Sequence, residues 1–156
     1  MKSLVLVAVW LTTLATVGLA SEAVELRTQL VAEVRESTGP AERPTFRLVP
    51  AGRLSQGQVV YYTVRITNPT PVFANKVQVS QLIPANTTYL PGSAAGPGAE
   101  VEFSTDGGQT FGRPESLKQA DGARVGPGGY THIRWTLRKP LAPGATALAR
   151  FRATFN

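Results

Sequence analysis

The residue types that could make or break bonds are few in this chain, and their spacing argues against catalysis. His132 is the only histidine, Asp106 and Asp121 are the only aspartates, and there is no cysteine. A hydrolytic site on His132 would need a nucleophile and an orienting acid brought beside it, and no G-x-S-x-G elbow is present to supply the first. Thiol mechanisms are ruled out, and most metal sites lack the ligands they require. Glu100 and Glu102 share one strand face and could imitate a catalytic carboxylate pair. Like charges so placed on an exposed face are more simply explained as solvated. No GKS or GKT phosphate loop and no dinucleotide fingerprint occurs. His132 therefore reads as a surface or hydrogen-bonding residue, and neither an enzyme nor a cofactor is expected.

The segment Ser104-Thr105-Asp106-Gly107-Gly108-Gln109-Thr110-Phe111 has the composition of a tight hairpin. A short carboxylate accepts hydrogen bonds from nearby turn amides, glycine permits positive φ, and the aromatic residue can anchor the hairpin on the core. The run resembles the Asp-box hairpin, S-x-D-x-G-x-T-F/W, of sialidases and other propellers. What this implies is a structural device built from Ser104, Asp106, Gly107, Gly108, Thr110 and Phe111. A propeller needs several copies at blade spacing, so a single copy carries no sialidase activity with it. A calcium site on Asp106 would have one carboxylate where tight loops use several, and no metal is expected.

Charge points toward binding. The formal net charge is +6 and the calculated pI about 10.2, so acidic polymers are attracted to the whole surface. Strand parity sets Arg65, Arg134, Arg138, Arg150 and Arg152 opposite the inward residues of their strands. If those strands share a sheet, the five arginines form one basic outer face with Tyr61 standing on it. Guanidinium forks fit carboxylates and phosphates bidentately, which would suit an anionic envelope glycan or lipid head group. The plainer alternative is a solvated face whose charges deter edge pairing.

The elements that must position these residues read as strands. Residues 24–35 alternate, with Val24, Leu26, Thr28, Leu30, Ala32 and Val34 on one parity and Glu25, Arg27, Gln29, Glu33 and Arg35 on the other. Leu26, Leu30 and Val34 also repeat at four-residue spacing, which keeps a helix open as the rival. Pro and Gly in Ser37–Pro44 predict a loop, and Thr45–Val49 could pair back as a hairpin. Gln58–Thr67 is the clearest strand, with Val60, Tyr62, Val64 and Ile66 inward, and Asn68-Pro69-Thr70-Pro71 ends it. Further strands are expected over Lys76–Leu82, Thr87–Leu90, Glu100–Ser104, Gln109–Phe111, Tyr130–Leu137 and Ala145–Phe155. Gly112–Gly129 reads as loop, and Ala142-Pro143-Gly144-Ala145 has type II turn chemistry.

The 42% hydrophobic and 17% charged residues mark a globular chain, and 15 Gly with 12 Pro favour many short elements divided by turns. Lys2 and the apolar run Leu4–Leu14, followed by Gly18-Leu19-Ala20, predict a signal peptide over residues 1–20 with cleavage before Ser21. An uncleaved anchor is the alternative. The expectation is an exported protein, periplasmic or at the cell surface, with no membrane span after cleavage and roughly 136 residues for one domain. Without cysteine, packing alone must hold it.

The motifs Val59–Asn68, Asn75-Lys76-Val77, Ile83–Tyr89 and Pro91-Gly92-Ser93, then Tyr130–Trp135 and Leu141-Ala142-Pro143-Gly144, resemble the bacterial DUF11 family of exported domains. The resemblance covers residues 45–156, with the strand and loop of 21–44 joining the same domain. It implies an all-β, immunoglobulin-like antiparallel β-sandwich of about seven to nine strands and carries over no catalytic residues. The expected role is a non-catalytic structural or protein-interaction module of the cell envelope. Its partner would be an unidentified envelope protein or a second copy joined through a sheet edge. The alternative is binding of an anionic glycan or lipid head group through the arginine face; nucleic acid is not expected.

Overall fold

The computed structural model describes residues 25–156; the expected signal peptide, its cleavage site and Val24 lie outside the described residues. Eight strands follow in order: β1 (Arg27–Thr38), β2 (Thr45–Pro50), β3 (Val59–Thr67), β4 (Gln78–Leu82), β5 (Thr87–Tyr89), β6 (Ala99–Ser104), β7 (His132–Leu137) and β8 (Thr146–Phe155). They form two antiparallel sheets, ordered β2-β1-β3-β8-β5 and β4-β7-β6. The molecule is an all-β, immunoglobulin-like sandwich.

Period-two alternation places the core between the sheets. Val60, Tyr62, Val64 and Ile66 of β3 and Ala147, Ala149, Phe151 and Ala153 of β8 are buried from the larger sheet, and Ile133, Trp135 and Leu137 of β7 from the smaller. Tyr62 and Phe151 are cross-strand partners whose rings stack with centroids 4.8 Å apart. Phe151 meets Trp135 across the sandwich at 6.0 Å. A second aromatic group joins β5 to β6, with Tyr89 to Phe103 at 4.8 Å and Phe103 to Tyr130 at 4.7 Å. Alanines beside Phe151 on β8 leave room for these rings. Large and small residues thus interdigitate across the layers.

The rivalry between strand and helix at residues 24–35 is resolved as strand. β1 runs to Thr38, past the boundary expected at Arg35, because the hairpin with β2 keeps pairing as far as Thr38 and Thr45. Its inward parity is only partly covered: Val34 is buried, whereas Leu30 is 39% exposed. β4 starts at Gln78, two residues after the expected Lys76, whose backbone is left-handed at φ 52°. The expected strand over Gln109–Phe111 does not form. A single bridge between Phe103 and Gly112 closes that hairpin instead.

Asn68, expected only as part of a strand terminator, is fully buried and joins two loops. Its Nδ2 donates to the carbonyls of Val72 at 2.7 Å, Leu141 at 3.0 Å and Ala142 at 3.2 Å. Its Oδ1 accepts from Thr70 N at 3.1 Å and Thr70 Oγ1 at 2.6 Å. The type II turn forms as its sequence predicts, with Gly144 at φ 69° and Ala145 N donating to Ala142 O at 3.1 Å.

Two substitutions test this core by urea unfolding. Phe151→Ala should cost about 3–5 kcal/mol, because a buried ring facing two aromatic partners is lost. Asn68→Ala should cost about 1–3 kcal/mol through carbonyls left without a donor. Changes within about 0.5 kcal/mol, the range of surface substitutions, would contradict these roles.

Candidate functional site

The segment after β6 folds as a carboxylate-centred turn. Asp106 Oδ1 accepts from Ser104 Oγ at 2.7 Å, Gln109 N at 3.1 Å and Thr110 N at 3.0 Å. Asp106 Oδ2 accepts from Thr110 N at 3.1 Å and Thr110 Oγ1 at 2.6 Å. These donors occupy the lone pairs that a cation would need. Gly107 and Gly108 sit at φ 76° and 88°, which favours glycine at both positions. The buried Ser104 Oγ also accepts from Gly108 N at 2.9 Å. Gly107 N donates to Thr131 Oγ1 at 3.2 Å, which docks the turn onto the start of β7.

Phe111 departs from its expected place as a core anchor. It is half-buried, and the Arg134 guanidinium lies 4.2 Å from its ring centroid. Cation and ring attraction thus holds the aromatic residue against the polar side of β7. His132 is beside the same turn. Its Nδ1 is 3.2 Å from Thr131 Oγ1, and a Cβ added at Gly108 would come 3.4 Å from its ring. Among the described residues, no three His, Cys, Asp or Glu side chains group as metal ligands.

The five predicted arginines do not share one face. Arg65 on β3 and Arg150 and Arg152 on β8 stand together on the outer face of the larger sheet. Arg134 belongs to β7, in the smaller sheet, and Arg138 follows that strand. The condition that β3, β7 and β8 share a sheet therefore fails, and the single five-arginine face is corrected to two groups. Arg134 and Arg138 are also neutralised locally: Arg134 Nη2 is 2.7 Å from Glu102 Oε2, and Arg138 Nη2 is 3.6 Å from Glu100 Oε1. Glu100 and Glu102 are thus ion-pair partners rather than isolated solvated charges.

The β1–β3 register adds two arginines that sequence alone did not assign to this face. Gln29 pairs with Arg65 and Arg27 with Thr67, so the odd residues of β1 share the outer face with the odd residues of β3. Arg27 and Arg35 join Arg65, Arg150 and Arg152 there. Parity already set Arg27 and Arg35 on a polar side; their adjacency to β3 was the missing information. The one glutamate on the strands of this face is Glu33, and no described carboxylate forms an ion pair with any of the five arginines. Tyr61 lies between Arg152 and Arg35, whose guanidinium carbons are 5.9 and 6.0 Å from its ring centroid. Arg35 also covers Phe46 of β2 at 4.8 Å. Two shallow depressions indent the face. One of about 430 Å³ is lined by Arg27, Gln29, Arg65, Thr67 and Thr146 among others, and one of about 320 Å³ includes Tyr61, Thr63, Arg150 and Arg152.

No protein-family model, curated protein or solved structure matches this chain.

The Asp106 turn makes a pH-dependent prediction. Hydrogen bonds from Thr110, then Ser104 and Gln109, hold its carboxyl well below its ordinary value of 3.8. Because the folded pKa is lowered, the stabilisation is fully present above that ordinary value and is lost as pH falls toward the folded pKa. Asp106→Asn should lower the urea midpoint at pH 7, and the gap from wild type should narrow progressively below about pH 4. A gap independent of pH from about 7 to 2 would contradict the assignment.

Proposed function

We propose that this chain is an exported DUF11-like β-sandwich that serves as a non-catalytic structural or protein-interaction module of the cell envelope. The observation that carries this is the β1–β2 ribbon. Residues 35–38 of β1 pair with 45–48 of β2 and, beyond the reach of β3, with no other strand among the described residues. β2 ends the strand order of the larger sheet and carries the exposed Phe46 and Leu48. Ala51 N donates to Ala32 O at 2.9 Å. Antiparallel alternation then turns Thr45, Arg47 and Val49 toward β1 and the N–H and C=O groups of Phe46 and Leu48 outward. An edge of this kind accepts an added strand from a partner or a second copy. Export rests on the apolar N-terminal segment of the sequence. A second reading, capture of an anionic envelope glycan or lipid head group, is favoured by the unneutralised arginines on the larger sheet.

Leu48→Pro tests the first reading, because it removes an outward N–H without breaking the β1–β2 ladder. Crosslinking, size-exclusion chromatography and pull-down from envelope extract should show self-association or a discrete partner for the wild type. The variant should lose it, with stability changed by no more than about 1 kcal/mol. A wild-type protein that is strictly monomeric and captures no envelope protein would overturn the proposal.

A further inference from the structure

The two outer faces of the sandwich treat their arginines differently. On the smaller sheet, cross-strand pairing sets Glu102 directly opposite Arg134, and the ion pair forms. On the larger sheet the residues opposite the arginines are uncharged: Thr63 faces Arg150, Tyr61 faces Arg152, Leu148 and Gln29 flank Arg65, and Thr67 faces Arg27. These guanidinium groups have no described carboxylate to satisfy them. Their register also forms a line. Arg152 and Arg150 are successive outward residues on β8, Arg65 is one strand across and one outward step on, and Arg27 is a further strand and step beyond. With about 3.3 Å per residue and about 4.8 Å between strands, successive positions lie about 7–8 Å apart and the line is about 22 Å long.

We infer that Arg152, Arg150, Arg65 and Arg27 form a diagonal track that binds an extended, carboxylated polysaccharide. This rests on the second reading above and supplies its site and ligand class. The interval between arginines is longer than one monosaccharide unit and shorter than two, and the reach of the long arginine side chains takes up the difference, so that their guanidinium forks can meet uronate carboxylates along the polymer. Between the charges stand Thr63, Thr67, Thr146 and Gln29, whose hydroxyl and amide groups suit sugar hydroxyls. Tyr61 offers a ring beside Arg152 at one end. Leu148 beside Arg65 is half-buried, and the exposed large apolar residues of this face, Phe46 and Leu48, lie on the ribbon rather than on the track. A bilayer surface would draw on apolar side chains placed among the basic ones.

The probe is polygalacturonate, with neutral dextran and phosphatidylglycerol vesicles as comparisons. Titration calorimetry of the purified protein should show binding to polygalacturonate that weakens between about 0.05 and 0.5 M salt, and none to dextran. Arg65→Gln with Arg150→Gln should weaken it about tenfold or more. Arg138→Gln with Lys139→Gln removes the same charge from exposed positions off the track and should weaken it by less than about threefold. Circular dichroism should show both pairs folded. Equal losses from both pairs would overturn the track while leaving general anion capture standing. Binding to the vesicles but not to polygalacturonate would overturn the polysaccharide assignment. Absence of salt-sensitive binding to either anion would remove the reading on which the track rests.

Discussion

The contact of Phe151 with Tyr62 beside it and Trp135 across from it governs the arrangement of the rest. With no cysteine in the chain, the two sheets are held by burial and ring packing. Once Phe151 points inward, period-two geometry points Arg150 and Arg152 outward, and the β3 register extends that assignment to Tyr61, Thr63 and Arg65. A one-residue slip of β8 would bury two arginines and expose a phenylalanine. The penalty for burying charge is large, so the same constraint fixes both the core and the basic face.

The sequence made the strands legible where alternation was clean. β3, β7 and β8 carry apolar residues at every second position, and these inward sets are buried except for the half-buried Phe155 at the end of β8. β1 was ambiguous because Leu26, Leu30 and Val34 satisfy both periods, and pairing with β2 and β3 decided it. The sheet to which each strand belongs was not legible. Parity gives the direction of a side chain relative to its own strand but not the identity of neighbouring strands, so it cannot separate Arg134 and Arg138 from Arg65. The same limit hid Arg27 and Arg35. The prolines after Asn68 mark only a strand end, and nothing local signals that its amide reaches carbonyls at residues 141 and 142.

The Asp106 turn shows the opposite case, in which function of the side chains is entirely local. Every hydrogen bond to its carboxylate comes from within four residues, so the amide contacts expected of such a turn are legible locally, while the Ser104 and Thr110 hydroxyls add donors that the turn chemistry does not specify. The position of Phe111 is not local, because its partner is distant. Arg134 is 23 positions away in sequence and reaches Phe111 only because β7 pairs with β6. Arg134 thereby serves two neighbours, the ring of Phe111 and the carboxylate of Glu102. A guanidinium engaged on its planar face and at its edge has little freedom left for an external anion.

The β1–β2 ribbon needs its own explanation, because two strands without a third are marginal in water. Here the ribbon is continuous with a strand already fixed by β3 over residues 27–34, so only its far end must support itself. Both faces contribute there. On one side Arg35 covers Phe46; on the other, Arg47 donates to Glu36 through Nε at 2.8 Å and Nη2 at 2.6 Å. Thr38 and Thr45 hydroxyls meet at 2.9 Å next to the turn. Exposed pairs of these kinds contribute little individually, and the ribbon gains most from being tethered at its base. Such an element keeps its strand geometry while leaving Phe46 and Leu48 exposed on the outer face, which is turned away from the smaller sheet.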